Sequence, residues 1–161
     1  MRLSELAERW KKDRRSTELS LVVPVLLLES LGEGARESWE QTGAIVVGRL
    51  PERSDPQVFF VEKATRSGNA FPMGVTIGRV ESNDIVVDDP GLSRFHAWLQ
   101  QDAKSGAWWL CDADSKNGTQ VDGESLTPGA KVALRDGCVV TLGQASLRFL
   151  LPTTLIELLK Q

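Results

Sequence analysis

From residue 58 onward, short runs of β-branched and aromatic residues alternate with clusters of glycine, proline, asparagine and aspartate. Runs this short, bounded by turn residues, are typical of strands rather than helices. The predicted strands are Val58–Val61, Val75–Ile77, Ile85–Val87, Phe95–Gln100, Ala107–Cys111, Thr119–Val121, Lys131–Leu134, Cys138–Leu142 and Ser146–Leu150. This regular succession of strand and turn predicts a mainly β fold, a two-sheet antiparallel β-sandwich.

Turn residues predict how some of these strands pair. Asp122-Gly123 and Asp136-Gly137 favour the positive φ of tight hairpin turns, so we expect the strands on either side of each dipeptide to be neighbours. A glycine-containing turn at residues 66–69 is expected to join strands 58–61 and 75–77 into a further pair.

Residues 1–43 are predicted to form a helical extension. Leu3, Leu6 and Trp10 recur at helical spacing with charged residues between them, which is the pattern of an amphipathic helix. The apolar segment Leu19–Leu31 is ambiguous between strand and helix, and we favour a helix whose leucines cover one face. The β domain is then expected at residues 44–152, with a first strand at Ala44–Val47, and a short helix starting at Pro152 is expected to occupy residues 153–161.

Charge and composition limit the classes of partner. The formal net charge of -3 argues against a general nucleic-acid binder, which usually carries a basic excess. Two cysteines and one histidine cannot supply the usual four ligands of zinc, so Cys111 and Cys138 are predicted to be buried thiols, and no metal or other cofactor is expected. Leu19–Leu28 is too short to span a membrane, and residues 1–15 lack the apolar core of a secretory signal, so we expect a cytoplasmic protein.

Hydrogen-bond donors are concentrated in the loops between residues 78 and 123. Gly78-Arg79 ends a predicted strand, Ser93-Arg94 lies in a second loop, and Lys116-Asn117 lies in a third. Serine, asparagine, lysine and arginine all donate hydrogen bonds, and a guanidinium fits a phosphate or carboxylate in shape and charge. The pattern predicts a site in which several donors converge on one anion.

Gly78-Arg79, Ser93-x-x-His96 and Asn117-Gly118-Thr119, followed by Gly123, resemble the motifs of the forkhead-associated (FHA) domain family. The resemblance covers about residues 57–151, and it is specific because several short motifs occur in order. It implies a module that binds a phosphothreonine-containing segment of another protein without catalysis. The implied partner is a Ser/Thr protein kinase or a kinase substrate.

The resemblance also implies which residues contact the ligand. We expect Arg79, Ser93 and Arg94 to contact the phosphate, and Asn117 to bind the peptide backbone beside the phosphothreonine. Lys116 occupies a position from which family members often assist the phosphate, although its identity varies there.

The remaining matched residues are implied to shape the loops. Gly78 and Gly118 are expected to set the backbone, and His96 is expected to brace the loop that bears Ser93 by hydrogen bonding. A catalytic triad of Ser93, His96 and Asp88 is disfavoured, because no Gly-x-Ser-x-Gly elbow and no oxyanion-hole motif is visible.

Two further possibilities concern the extension. The module could instead bind its partner through another surface, independently of phosphate, with the N-terminal helices as the interface. Thr17 follows Arg14-Arg15-Ser16 on a segment predicted to be exposed, so a kinase could phosphorylate it, and the phosphate could then occupy the Arg79 pocket of the same or a second chain.

Overall fold

The computed structural model describes residues 1–31, 55–64 and 71–161. Within these ranges the chain forms the predicted two-sheet β-sandwich. One sheet has six strands: Val25–Ser30 (β1), Val58–Phe60 (β2), Thr119–Val121 (β7), Glu124–Ser125 (β8), Val139–Leu142 (β10) and Ala145–Leu150 (β11). The other has five: Val75–Gly78 (β3), Ile85–Val86 (β4), Ala97–Gln101 (β5), Trp108–Asp112 (β6) and Lys131–Leu134 (β9). The strand orders are β2-β1-β11-β10-β7-β8 and β4-β3-β5-β6-β9, and paired neighbours are antiparallel except β3 and β4, which are parallel.

The main apolar core lies between the two sheets. Successive side chains of a strand face opposite sides, so each strand contributes alternate residues to this core. Ile77, Leu99 and Leu110 of the five-stranded sheet and Leu147 and Phe149 of the six-stranded sheet belong to one fully buried cluster. Each such side chain contributes about 1.5–3 kcal/mol when buried. The core therefore fixes the strands, and the loops at their ends are free to carry polar residues.

A second apolar cluster lies under the helices. The helices are Leu3–Lys12 (α1), Arg14–Ser20 (α2) and Pro152–Leu159 (α3). Leu6 of α1 and Leu155 of α3 pack with Val25 and Leu27 of β1, whereas Leu26 packs in the main core. Since alternate residues of a strand face opposite sides, α1 and α3 cover the outer face of the six-stranded sheet. The predicted amphipathic first helix and the helix beginning at Pro152 are confirmed.

The helix predicted for Leu19–Leu31 is wrong, because residues 25–30 of that segment form strand β1 and only its first two residues are helical, as the end of α2. Leu26 is buried in one cluster while Val25 and Leu27 are buried in the other. A strand that is buried on both faces has a continuous apolar sequence, so periodicity does not distinguish it from a buried helix. Pro24, directly before β1, is also unfavourable within a helix. Part of the predicted extension is thus a strand of the sandwich.

The turn predicted at Asp122-Gly123 is confirmed, although its second strand is the short β8 and not the predicted strand Lys131–Leu134, which lies in the other sheet. Asp122 and Gly123 have φ values of 49° and 83°, and they join the antiparallel strands β7 and β8. The hairpin predicted at Asp136-Gly137 is wrong, because β9 and β10 belong to different sheets. The predicted pairing of strands 58–61 and 75–77 is wrong for the same reason, since β2 and β3 lie in different sheets. A turn residue permits a sharp reversal but does not determine which sheet the next strand joins.

The exposed position expected for Thr17 is wrong as well. Thr17 lies in α2, is only 3% exposed, and its hydroxyl donates to the carbonyl oxygens of Asp13 at 2.8 Å and Arg9 at 3.2 Å. A kinase needs an accessible hydroxyl, so the structure contradicts self-recognition through phosphorylated Thr17.

Some predictions fall outside the described ranges. The strand expected at Ala44–Val47 and the turn at residues 66–69 are among them, and the domain boundary at residue 43 stays a prediction. In the ranges that are described, no helix is long and apolar enough to cross a membrane, and no cluster of three or more His, Cys, Asp or Glu residues could hold a metal ion. Cys111 and Cys138 are buried free thiols, as predicted.

Candidate anion-binding site

Three loops meet at one end of the sandwich, and Ser93 connects them. The loops are residues 79–84 after β3, 87–96 after β4 and 113–118 after β6. The backbone N–H of Arg79 donates to the Ser93 carbonyl oxygen at 3.1 Å. The backbone N–H of Lys116 donates to Ser93 Oγ at 2.9 Å, across 23 residues of sequence. The fold therefore brings together the donor-rich loops that the sequence singled out.

Gly78 allows the first two loops to approach closely, and Arg79 follows it at the surface. A Cβ atom at Gly78 would lie 2.0 Å from the Arg94 carbonyl oxygen and 2.6 Å from Asn83 Nδ2, so no larger residue fits without displacement. Arg79 is exposed, and its Nε donates to the Leu92 carbonyl oxygen at 3.2 Å. This hydrogen bond orients the guanidinium and leaves both terminal NH₂ groups available to a ligand.

His96 lies buried beneath the loops and forms hydrogen bonds through both ring nitrogens. Nδ1 accepts the backbone N–H of Ser93 at 3.1 Å, so the proton of the neutral ring is on Nε2, which donates to the Gly118 carbonyl oxygen at 2.9 Å. Burial lowers the pKa of His96 below its usual value, and it outweighs the Gly118 hydrogen bond and the nearby Asp112 carboxylate, which both raise it. One neutral imidazole thus ties the Ser93 loop to the Gly118 loop.

Asn117 and Gly118 form the tip of the third loop. Gly118 has a φ of 80°, a conformation that glycine adopts without strain, and its carbonyl oxygen also accepts the backbone N–H of Gly143 at 2.9 Å. Asn117 is exposed, and its Nδ2 donates to the Gly91 carbonyl oxygen at 2.7 Å. The Asn117 amide is therefore oriented in advance, and it keeps its oxygen and one N–H for a ligand.

Three cationic side chains around Ser93 lack an anionic partner. Arg79, Arg94 and Lys116 are exposed, and none of them forms an ion pair with a carboxylate in the described parts of the chain. A single exposed cation is ordinarily just solvated. Here three of them lie on the loops that meet at Ser93, so cationic donors come together beside a serine hydroxyl in a chain whose net charge is -3. The arrangement can both neutralise and hydrogen-bond a dianion.

Two buried polar residues that the sequence analysis did not select support these loops. Asp112 accepts the Ser115 N–H at 3.0 Å, the Ser115 hydroxyl at 2.5 Å and the Thr119 hydroxyl at 2.6 Å. Burial alone would raise the pKa of Asp112, but these hydrogen bonds lower it below its usual value. Asn83 is buried in the first loop and bonds to the Arg94 carbonyl oxygen. Each of these residues is polar and lies close to a strand end, in or beside a donor-rich loop. That position is the sequence feature by which they could have been found.

Ser93, His96 and Asp88 do not form a catalytic triad. His96 contacts the backbone N–H of Ser93 and not its hydroxyl, and its other nitrogen faces Gly118. Asp88 is exposed and makes no hydrogen bond to the ring. With both nitrogens engaged, His96 is not positioned to act as a base toward Ser93.

The chain resembles known proteins over this region. Residues 75–143 match the family model for the FHA domain. The FHA domain-containing protein At4g14490 of Arabidopsis thaliana is 39% identical over 87 residues, with 51% of this chain and 22% of that protein covered. FHA domain-containing protein FhaB of Mycolicibacterium smegmatis is 30% identical over 117 residues, with 64% of this chain and 73% of FhaB covered. The chain thus spans less than a quarter of the plant protein but most of FhaB.

The fold is shared with solved FHA domains. One of them, from a structural and functional analysis of phosphothreonine-dependent FHA domain interactions, has a TM-score of 0.51 at 20% identity, with 80% of this chain and 96% of that chain covered. At this level of identity the similarity concerns the fold. Together with the match to FhaB over 73% of its length, it identifies this chain as a member of the FHA domain family.

Proposed function

We propose that this chain binds phosphothreonine-containing segments of a partner protein. The observation that carries the proposal is the position of Ser93, whose carbonyl oxygen accepts the Arg79 N–H and whose Oγ accepts the Lys116 N–H. These two bonds hold Ser93 beside the backbones of two exposed cationic residues, neither of which forms an ion pair with a carboxylate in the described parts of the chain. The hydroxyl proton remains available, so Ser93 can still donate to a ligand.

The available groups fit a phosphate monoester. Such a group carries nearly two negative charges and three acceptor oxygens at neutral pH. The terminal NH₂ groups of Arg79 can form a forked pair with two of those oxygens, and the Ser93 hydroxyl can donate to another. Arg94 and Lys116 add charge at the same place. The amide of Asn117 offers a donor and an acceptor, which is what an extended peptide backbone needs.

Binding without catalysis is the function that the geometry supports. The one histidine of the chain uses both ring nitrogens to hold the loops, so among the described residues it is not poised to activate the Ser93 hydroxyl. A buried neutral imidazole of this kind contributes rigidity, and rigid donors lower the cost of ordering a site around its ligand.

The proposed partner is a protein phosphorylated by a Ser/Thr kinase, or the kinase itself. The solved FHA domain that shares this fold was analysed for phosphothreonine-dependent interactions, which supports the same ligand class here. In this proposal the loops bind the phosphate and the adjacent peptide backbone. The preferred residues on either side of the phosphothreonine are a separate property, which a peptide library measures.

A peptide titration tests the proposal. The purified protein is screened against a degenerate peptide library with a fixed phosphothreonine, and the best peptide is titrated calorimetrically in phosphorylated and unphosphorylated form. We expect binding of the phosphorylated form alone. Arg79→Ala should weaken it by about ten- to a hundredfold, because a charge-assisted bond to a dianion is lost.

Arg135→Ala is the matched control. Arg135 is an arginine whose side chain is 85% exposed, and it contacts Asp122 away from the three loops. Its replacement should leave the affinity unchanged. Equal binding of both peptide forms would contradict the proposal and would favour a scaffold that binds its partner independently of phosphate through another surface.

A further inference from the structure

Asn83 lies almost completely buried in the loop that carries Arg79, where its side chain contacts the loop that carries Arg94. Its exposed fraction is 3%. Nδ2 donates to the Val80 carbonyl oxygen at 2.9 Å and to the Arg94 carbonyl oxygen at 2.5 Å, across 11 residues of sequence. The side-chain amide has two protons, and these bonds use both of them. Asn83 therefore joins the two loops and retains no N–H for a ligand.

The Arg94 carbonyl oxygen is held between Asn83 and Gly78. Any Cβ atom at Gly78 would come within 2.0 Å of this oxygen, so the two backbones are in direct contact there. Arg79 follows Gly78 in the chain, and Val80 follows Arg79. The Asn83 amide thus binds the backbone on both sides, next to one arginine and at the carbonyl of the other.

We propose that Asn83 is a positioning residue of the phosphopeptide site, and that its amide sets the separation between the Arg79 and Arg94 backbones from which both guanidinium groups extend. The proposal rests on the phosphothreonine recognition proposed above. Two exposed arginines repel each other and have many rotamers, so their simultaneous contact with one phosphate is favoured when their backbones are already held together. Asn83 provides that restraint without touching the ligand.

A residue that only supports the fold should affect stability but not affinity for the phosphopeptide. Thr76 is the comparison residue for this case. Thr76 is 2% exposed, and its hydroxyl donates to Asp84 Oδ2 at 3.2 Å and accepts the Asp84 N–H at 3.0 Å. These bonds support the same stretch of chain beside Asn83 but do not reach the Arg94 loop. Thr76→Val should therefore lower the unfolding midpoint while leaving the affinity for the phosphopeptide unchanged.

A double-mutant cycle provides the test. Asn83→Ala and Arg94→Ala are made singly and together, and the dissociation constant for the library-selected phosphopeptide is measured for each, with a urea unfolding curve as a control for folding. Asn83→Ala alone should weaken binding about five- to tenfold, since one or two hydrogen bonds that order the site are lost. In the Arg94→Ala background the same change should cost less than about twofold, because the two residues act as a unit.

Lys116→Ala supplies the additive control. Lys116 lies in the third loop and has no bond to Asn83, so its replacement and that of Asn83 should weaken binding independently. Additivity between Asn83→Ala and Arg94→Ala would overturn the proposal. An Asn83→Ala protein that binds as tightly as the wild type would do the same.

The outcomes also separate this proposal from the one on which it rests. If the wild-type protein binds no phosphopeptide, phosphothreonine recognition fails before any variant is compared. If Asn83→Ala does not fold, Asn83→Asp keeps the side-chain shape without its NH₂ donors and takes its place in the cycle. Loss of folding in both variants overturns the proposal, because it would show that Asn83 holds the fold and not the spacing of the arginines.

Discussion

Replacing His96 with leucine removes the connection between two of the three loops while keeping most of the volume of the ring. The variant loses the bond from the Ser93 N–H to Nδ1 and the bond from Nε2 to the Gly118 carbonyl oxygen. The Gly118 oxygen still accepts the Gly143 N–H, but the Ser93 N–H has no other acceptor in the described ranges. One lost bond costs about 1 kcal/mol and an unpaired, partly buried donor about 1–3 kcal/mol, so the free energy of unfolding should fall by about 2–4 kcal/mol.

The same residue makes stability depend on pH. Burial lowers the pKa of His96 in the folded protein below the value of about 6.5 for an exposed imidazole. As the pH falls through about 6.5, the unfolded chain takes up a proton and the folded chain does not, so the free energy of unfolding decreases by at most about 1.4 kcal/mol per pH unit. This contribution is fully present above that pH and is lost as the pH falls toward the folded pKa. A protonated Nδ1 would face the Ser93 N–H, which is also a donor.

Urea unfolding of the wild type and of His96→Leu at about pH 7.5 and about pH 5.5 measures both effects. The chain has one histidine, and the buried carboxyls of Asp84 and Asp112 have pKa values lowered from an already acidic range, so the window between these pH values reports on His96. The wild type should lose stability across the window, and the variant should be less stable at the higher pH but nearly independent of pH. A variant that matches the wild type in stability, or that keeps its pH slope, would refute this account of His96.

Three further outcomes are expected. The matched phosphoserine peptide should bind about fourfold more weakly than the phosphothreonine peptide, since one buried methyl group contributes about 0.8 kcal/mol; equal titration curves would count against FHA-type recognition. Gly78→Ala should lower both the melting temperature and the phosphopeptide affinity, because the new methyl would lie 2.0 Å from the Arg94 carbonyl oxygen, and an unchanged affinity would disprove that contact. Leu6→Ala should reduce the free energy of unfolding by about 2–5 kcal/mol in a denaturant titration, because Leu6 packs in the cluster under the helices. The dissociation constant for the phosphopeptide should not change. A parallel loss of affinity would show that the helices reach the site.

The sandwich and the loops of the site were predictable because their signals are local. The strands of the β region are short runs of β-branched and aromatic residues between turn clusters, which is typical of strands rather than helices. The motifs around Arg79, Ser93 and Asn117 are short and lie at strand ends, where loops carry polar side chains. The family resemblance predicted that these motifs lie close together in the fold. The bond from the Lys116 N–H to Ser93 Oγ is the contact that joins two of the loops.

What the sequence did not reveal depends on partners distant in the chain. β1 is buried by the main core on one face and by helices from both chain ends on the other, so its apolar run shows no period. Asp136-Gly137 has ordinary hairpin chemistry, yet the strand after it pairs in the opposite sheet. Asn83 and Asp112 were not singled out by the sequence, because their roles depend on acceptors and donors that only the fold brings near them. Thr17 was expected to be exposed between two helices, but it lies within α2, where its hydroxyl bonds to Asp13 and to Arg9 of the neighbouring helix α1.

The cores that fix the strands and the hydrogen bonds that tie the loops together explain how a site with several cationic side chains can be rigid. Arg79, Arg94 and Lys116 carry like charges, and their mutual repulsion opposes the close approach of the three loops. The cores beneath fix the strands, while His96, Asn83 and the Asp112 carboxylate tie each loop to a neighbour or to its own strand end. Helices α1 and α3 cover the outer face of the six-stranded sheet, so they add stability without occupying the loops of the site. A site assembled in this way needs little further ordering, so phosphate should bind by relieving repulsion among side chains while the loop backbones stay in place.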